Sequence, residues 1–449
     1  MKILMIAIDT LRADRLGCYG YNKPNMTPHI DQLAKNGVLF ERCIAENNVT
    51  QSSFVTMMTG KSPYQHGIVN MKPTTISSRL IPLSQILKKN GYRTAAVDCN
   101  TRITGKFNPW FKQGYQTYID PAGPGKTHLT VPAHEINRHA LGWLQNHRRE
   151  KDWFLFVHYW DPHFPYLPQP SFSRMHVRSP RQLQQAPGLN TVLREPLWSF
   201  IRRWSKEINN PQHINELYDA AVSQADDAVG QLVSHLRDWG IWENTLVILV
   251  SDHGESLGEH RIYYDHHGLY EPTIHVPLIL SCPAKLPAQR RIPDLVQHAD
   301  LLPTILDIAG IPIPRHIQPL DGFSMVPTIK GKAKNVRPFA ISCEANWQLK
   351  RSIRTPHWKL IQSLEPDVYG NPRYELYNLK LDPKETKNLI QRAPKVAKRL
   401  HANMTRWIRL KLTKYKRKDP LSRGVKVRLH RQTAAEEEKV KKRLSELGY

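Results

Sequence analysis

"TLVILVSDHGE", residues 245–255, is apolar at every position from Leu246 to Val250 and then turns abruptly to Asp252 and His253. A continuous run of strand length, without alternation, is what a strand buried on both faces requires. Four other stretches share the pattern: "KILMIAI" (Lys2–Ile8), "RTAAV" (Arg93–Val97), "WFLFV" (Trp153–Val157) and "VPLIL" (Val276–Leu280). Helical patterns separate them. "TPHIDQLAKNG" has Thr27 as cap, Pro28 at the first helical position and Gly37 as stop. "PLSQILKKNG" and "AHEINRHALGWLQNH" follow, and from Glu216 to Gly240 a long helix sets Leu217, Ala221, Ala225, Val229, Leu232 and Leu236 on one face. Strands alternating with helices predict an α/β fold, a sheet with helices packed on both sides.

From about Arg337 the texture changes to short strands with no helix between them, "PFAISCEA", "WKLIQSL" and "YELYNL", then a helical pattern from Pro394 to Leu410. This predicts a small antiparallel sheet with one covering helix. The expected organisation is a catalytic domain over 1–335, with an insertion or lid at 168–210, a small α+β domain over 336–412 and a basic tail over 413–449. The tail ends in a helix with Thr433 and Glu436 as capping box. There is no internal repeat.

The chain has 449 residues, with 64 Lys plus Arg against 39 Asp plus Glu, a formal charge of +25. Such a field attracts anions of any kind, whether glycans, acidic lipid headgroups or small phosphate and sulfate esters. Nucleic acid fits the field too, but no nucleic-acid-binding module is recognisable. Five scattered cysteines without a CxxC pair read as reduced structural thiols. The apolar run of "MKILMIAIDT" stops at Asp9 with no cleavage site, so it reads as a strand and not a signal peptide. No stretch approaches the length of a membrane span. The expectation is a cytoplasmic protein whose basic tail is a candidate contact for an acidic membrane or glycan surface.

Ligands of open α/β sheets bind beyond the carboxyl ends of the strands. There the chain offers Asp9 after the first run, Asp252 and His253 after "TLVILV", and His158, Asp161 and His163 after "WFLFV". Asp9, Asp252 and His253 with an oxygen nucleophile make a shell for one divalent cation, Mn²⁺ or Zn²⁺ favoured by the imidazole and Ca²⁺ also compatible. Thr50, in "NNVTQSSFVTMMTGKSPYQHGI" (Asn47–Ile68), sits where an N-cap belongs, ahead of a buried stripe of Phe54, Met57 and Met58 and a Gly60 stop. An oxygen at a helix N-terminus can also meet a bound anion. His266 and His267 precede "VPLIL"; Asp161, His163 and His267 suit contact with a bound anion, protonation of a leaving oxygen, or a second metal.

These pieces, in this order and spacing, resemble the sulfatases of the alkaline phosphatase superfamily. The motifs include "IDTLRADRLGCYGY", "TPHIDQLAKNGVLFERC", "TMMTGKSPYQHGI", "HYWDPHFPY", "VSDHGESLGEH", "DHHGLYEPTIHVPLIL" and "ELYNLKLDPKETKNL", and the match runs from Met1 to about Leu389. The resemblance implies a large domain with a mixed, mostly parallel central sheet and a smaller C-terminal antiparallel-sheet domain. It puts Asp9, Asp252 and His253 on metal positions, His163 and His267 on substrate-contact positions and Thr50 on the nucleophile position, the oxygen that would join the metal shell.

The chain also departs from that pattern. Sulfatases carry C/S-x-P-S/A-R, whose Cys or Ser is oxidised to formylglycine; here the residues are Thr50-Gln51-Ser52-Ser53-Phe54. A secondary alcohol would give a ketone and not an aldehyde, so no formylglycine is expected, and Phe54 replaces the arginine. The paired aspartates are Asp9 and Thr10. The GKWHLG motif has no counterpart in "VDCNTRITGKFNPW", where Arg102 is the nearest stand-in for a substrate-binding cation. The expected reaction is hydrolysis of an anionic ester through a covalent Thr50 intermediate, with His163, His267 or water protonating the leaving oxygen. A phosphate mono- or diester is favoured over a sulfate ester; a degenerate anion- or glycan-binding protein is the non-enzymatic alternative.

Overall fold

In the computed structural model, residues 1–71, 75–99, 109–122, 131–178 and 210–423 are described. Arg102, most of the 168–210 insertion and the Thr433–Glu436 capping box lie outside them. The strands are, in chain order, β1 (Lys2–Ile8), β2 (Val38–Ile44), β3 (Arg93–Val97), β4 (Thr117–Ile119), β5 (Trp153–Tyr159), β6 (Thr245–Ser251), β7 (Ser256–Leu257) and β8 (Tyr263–Asp265). They continue with β9 (His275–Val276), β10 (Leu278–Ser281), β11 (Arg290–Gln297), β12 (Ala340–Glu344), β13 (Lys350–Arg354), β14 (Trp358–Ser363) and β15 (Tyr374–Asn378). The helices that carry the argument are α1 (Pro28–Lys35), α2 (Thr50–Thr59), α3 (Leu83–Lys89), α4 (Ala133–His147), α5 (Pro211–Asp238), α6 (Leu301–Ala309) and α7 (Pro394–Lys414).

The central sheet runs β11-β2-β10-β6-β1-β5-β3-β4, with β9 paired to β2. It is mostly parallel; β10 runs antiparallel to both β6 and β2. Side chains alternate between two cores, as the period of a strand demands. Ile3, Met5 and Ala7 join Phe154, Phe156, Ile248 and Val250 on the face covered by α2, α3 and α6. Leu4, Ile6 and Ile8 join Leu155, Val157, Val247 and Leu249 on the face covered by α1, α4 and α5. The six residues named on the long helix all lie in the second core or fully buried beside it.

Several expectations change in detail. The run "VPLIL" is split, because Pro277 has no N–H to give to the ladder, into β9 and β10. Strands β2 and β11 carry charges and a proline that hid them from an apolar count; β11 lies at the sheet edge with an irregular register between Ile292 and Leu295, beside Pro293. The second sheet, β12-β13-β14-β15, is antiparallel as expected but includes β13, "KRSIR", whose charged ends are buried. Helix α7 packs Ala397, Leu400, Met404 and Ile408 on it and continues to Lys414. All five cysteines are free thiols, and among the described residues no helix is long and apolar enough to cross a membrane.

Just beyond α2, a buried histidine fixes the turn. The backbone N–H of Ile68 donates to His66 Nδ1 at 3.0 Å, so the proton sits on Nε2, which faces Thr56 Oγ1 at 3.0 Å. Burial, aided by Arg417, pushes its pKa down to about 3 from 6.5. The unfolded chain therefore binds one more proton than the folded chain between these values. The stabilisation is whole above pH 6.5 and lost as pH falls toward 3, with a slope of about 1.4 kcal/mol per pH unit. Denaturant titrations at stepped pH should show wild type losing its stability advantage over His66→Gln below pH 6.5; parallel curves would contradict this assignment.

Candidate active site

Parallel pairing of β1 with β6, Ile8 opposite Ser251, makes Asp9 and Asp252 neighbours just past the strand ends. Both carboxylates are fully buried, as is His253. Asp252 Oδ1 accepts the backbone N–H groups of Thr10 (3.2 Å) and His253 (2.9 Å). Its Oδ2, like Asp9 Oδ1, has no hydrogen-bond partner. The Nδ1–H of His253 points at the Gly254 carbonyl, 3.0 Å away. That leaves the Nε2 lone pair facing Asp252 Oδ2 at 3.3 Å and Asp9 Oδ1 at 3.9 Å.

Thr50 Oγ1 completes the group, 3.3 Å from His253 Nε2 and 3.5 Å from Asp9 Oδ2. The residue is partly exposed, unlike its partners. It is not the N-cap: Val49 holds that position with extended dihedrals, and Thr50 is the first helical residue, its side chain free of any capping bond. Other hydroxyls of α2 are spent on the backbone, Ser52 on Ile68 O, Ser53 on Asn47 O, Thr56 on Ser52 O and Thr59 on Val55 O. Only the Thr50 hydroxyl is directed at the acid–histidine group.

Charge in the group is unevenly shared. Burial would raise the Asp9 carboxyl, yet His163, His158 and His253 pull it down to about 2. Burial and the charge of Asp9 raise Asp252. One ligand atom each from Asp9, Asp252 and His253 lies within 4.8 Å of the others. Two unpaired carboxylate oxygens and an imidazole lone pair converging in a dry site repel one another unless a cation lies between them. Bond lengths of about 2.0–2.2 Å put neighbouring ligands of a tetrahedral ion roughly 3.3–3.6 Å apart, which is the spacing seen from Thr50 to His253 and from His253 to Asp252. The residues fit a divalent metal.

The remaining sequence-derived residues divide. His163 is half-buried against Trp160; its Nδ1–H donates to Phe164 O at 2.7 Å, which leaves Nε2 open. His266 is partly exposed, with its ring 4.5 Å from that of His253 and 6.1 Å from that of His163. His267 turns the other way into the protein. Its Nε2 lies 3.0 Å from Asp265 Oδ2 and its Nδ1 3.7 Å from Glu344 Oε1, and the two carboxylates hold its pKa up against burial. Asp161 is also drawn off: Oδ2 accepts the Ala133 N–H at the start of α4 (2.8 Å) and the Gln224 amide (3.0 Å), and burial raises its pKa to about 6. The structure thus gathers Asp9, Thr50, Asp252, His253 and His163, adds His266, and sets His267 and Asp161 in supporting contacts.

Three further residues bear on the site. His158, at the end of β5, reaches Asp9 Oδ2 with Nε2 at 3.3 Å and Asp98 Oδ1 with Nδ1 at 2.7 Å. Against burial, the two carboxylates push it up to about 10. Asn48 donates to His266 O at 2.6 Å, tying the loop before Thr50 to the histidine loop. The sequence marks His158 as a polar strand end but carries no signal pairing it with Asp98.

Comparison with known proteins bears on what this geometry serves. The family model "Sulfatase" matches residues 2–311, and "N-sulphoglucosamine sulphohydrolase, C-terminal" matches 258–410. An N-acetylglucosamine-6-O-sulfatase of Bacteroides thetaiotaomicron is 25% identical over 475 residues, 87% of this chain and 83% of that one. A solved protein in complex with its substrate D-glucosamine-2-N,6-O-disulfate shares the fold at TM-score 0.72 and 21% identity, covering 94% of this chain and 99% of the other. The phosphonate monoester hydrolase of Agrobacterium radiobacter superposes at TM-score 0.70 and 21% identity, with 91% and 95% covered.

If Asp252 is a metal ligand, its substitution has opposite effects with and without the ion. In chelator, Asp252→Asn should be neutral or stabilising, because it removes a buried like charge beside Asp9. Added Mn²⁺ or Zn²⁺ at about 100 times its dissociation constant should stabilise wild type by about 2.7 kcal/mol and the variant far less. Thermal melts with and without metal measure both; equal metal-induced shifts would remove Asp252 from the site.

Proposed function

The chain belongs to the sulfatase family, and from that premise we propose a divalent-metal-dependent ester hydrolase whose nucleophile is the unmodified Thr50 hydroxyl. Its favoured substrate is a phosphate ester, a diester or other monoanion ahead of a dianionic monoester. The observation that carries this reading is Thr50 Oγ1 itself, partly exposed on the first turn of α2 and within 3.5 Å of both His253 and Asp9.

Asp9, Asp252 and His253, with Thr50, would hold the metal, Mn²⁺ or Zn²⁺ ahead of Ca²⁺. Such an ion supplies a lowered hydroxyl pKa at Thr50 and offsets charge on a non-bridging oxygen of the substrate. The N-terminus of α2 adds unpaired N–H groups and the positive end of the helix dipole. Thr50 Oγ, its proton passed to water, then attacks phosphorus in line, and the leaving alkoxide takes a proton from water or from the protonated Nε2 of His163. Water next attacks the Thr50 ester and restores the hydroxyl; a diester yields a phosphate monoester and a monoester yields inorganic phosphate, each with retention. His267, enclosed by Asp265 and Glu344, orients its loop and does not carry the proton in this scheme.

The choice of phosphate follows from Thr50. A formylglycine hydrate expels sulfate by cleaving carbon–oxygen, a route closed to threonine, so the ester must be cleaved at its central atom. The structural likeness to a phosphonate monoester hydrolase is compatible with this. A sulfate ester is the second reading, favoured by relatives such as the N-acetylglucosamine-6-O-sulfatase. A purely binding role leaves the converged Asp9, Asp252, His253 and Thr50 without a purpose.

Matched aryl phosphate, phosphodiester, phosphonate and sulfate esters, each with added Mn²⁺, Zn²⁺ or Ca²⁺, test the proposal. The diester and phosphonate should be turned over fastest. Thr50→Ala should lower kcat/KM by about 10³-fold or more, while Thr50→Ser stays within about tenfold of wild type. Acid-quenched protein should carry one substrate-derived group on the peptide containing Thr50. Turnover confined to sulfate esters would overturn the phosphate preference, and full activity in Thr50→Ala would overturn the nucleophile.

A further inference from the structure

Position 54, where the family resemblance implies an arginine, holds Phe54, and "RTAAVDC" supplies neither lysine nor histidine at the end of β3. What stands there instead is visible in the fold. Phe54 lies one turn along α2 from Thr50, and its ring meets that of His158 edge-on at 4.8 Å. His158 is fully buried, and Asp98, just past β3, is 2% exposed. Strands β3, β5 and β1 are consecutive in the sheet, so Asp98, His158 and Asp9 form a row across their carboxyl ends. Asp98 Oδ1 faces His158 Nδ1 at 2.7 Å, and Asp98 Oδ2 takes the Tyr118 hydroxyl. His158 Nε2 faces Asp9 Oδ2 at 3.3 Å.

This row divides the work of the Asp9 carboxylate. Oδ2 is engaged by His158 and the Thr50 hydroxyl, whereas Oδ1 has no bonded partner and lies toward His253. A carboxylate held through one oxygen presents the other in a fixed direction, and a carboxylate behind the histidine fixes the ring that holds it. The edge-on contact packs Phe54 against the imidazole that faces Asp9, which restricts the ring's tilt.

We infer that Asp98 and His158 are positioning residues that hold the Asp9 carboxylate for metal binding, on the flank of the site where α2 carries Phe54. The inference rests on the reading of Asp9 as a metal ligand. Among the described residues no Lys or Arg forms an ion pair with Asp9, Asp252 or His253; the rings of His158 and His253 are the side chains at that distance from the metal carboxylates, and of the two His158 is the one backed by a further carboxylate, Asp98.

The test is calorimetric titration of the metal-free full chain with Mn²⁺ alone, followed by turnover at rising Mn²⁺. His158→Gln should raise the Mn²⁺ dissociation constant about 10- to 100-fold and Asp98→Asn by a smaller factor. Both should stay folded in chelator, though with a lower melting temperature, and regain turnover at saturating Mn²⁺, which a merely packing role would not restore. Unchanged Mn²⁺ affinity in both single variants would overturn the inference, as would loss of activity that no Mn²⁺ concentration restores. Should wild type bind Mn²⁺ with these dependences and yet hydrolyse none of the esters, the positioning pair stands and the hydrolase reading fails.

Discussion

The site depends on two carboxylates that the sheet forces together. Asp9 and Asp252 follow neighbouring parallel strands in matching register, and their ligand atoms lie within 4.8 Å in a fully buried setting. Two unit charges at that separation repel by about 3–4 kcal/mol at an effective dielectric constant of roughly 20. The register cannot relax to relieve this, because a shift of one residue would carry every core side chain of β1 to the opposite face. With Ile3, Met5 and Ala7 in one core and Leu4, Ile6 and Ile8 in the other, the apolar packing sets the position of the acids. The repulsion is eased by His158 on one side of Asp9, and the other side, where oxygens and an imidazole lone pair are unpaired, is where a metal would fit.

Other elements meet at this point and hold it. Helix α2 is anchored by Phe54, Val55, Met57 and Met58 in the core and spends its other hydroxyls on backbone carbonyls, so that Thr50 alone is left at the sheet rim. Asn48 binds the helix entrance to the histidine loop. From the small sheet, Glu344 accepts the Gly268 N–H at 2.9 Å and faces His267, while the fully buried Lys359 joins Glu271 (2.7 Å) and Glu385 (2.8 Å). Removing one partner from such a buried group is costly, because the other charge is left unpaired. The second sheet therefore acts on the site by holding residues 265–271, which carry His266 toward His253.

Strands β1, β5 and β6 were legible because a strand covered on both faces reads as a continuous apolar run of strand length. Strand β13 was not, since Lys350 and Arg354 are buried in ion pairs, and buried pairing leaves no trace in a hydrophobicity pattern. Asp9, Asp252 and His253 were legible as polar residues ending such strands. Thr50 looked locally like a cap; its direction depends on Val49 holding the extended N-cap position, which makes Thr50 the first helical residue. The pairing of Asp98 with His158 spans 60 positions and exists only because β3 and β5 are adjacent. Adjacent His266 and His267 point to opposite sides of one loop, a distinction set by Asp265 and Glu344, far apart in the chain.

The net charge of +25 says little about the centre itself. Asp9 and Asp252 would offset a divalent ion, which leaves His158 as the local excess, while burial and His253 hold His266 toward its neutral form. A centre with so small a surplus stabilises one negative charge on a bound ester better than two, because each further charge brought into a dry site must find its own counter-charge. Diesters, phosphonate monoesters and sulfate esters carry one charge; phosphate monoesters at neutral pH carry nearly two. Long-range attraction, which the excess of lysine and arginine provides to any anion, is thus separate from any discrimination at Thr50, which a few buried histidines and carboxylates would decide.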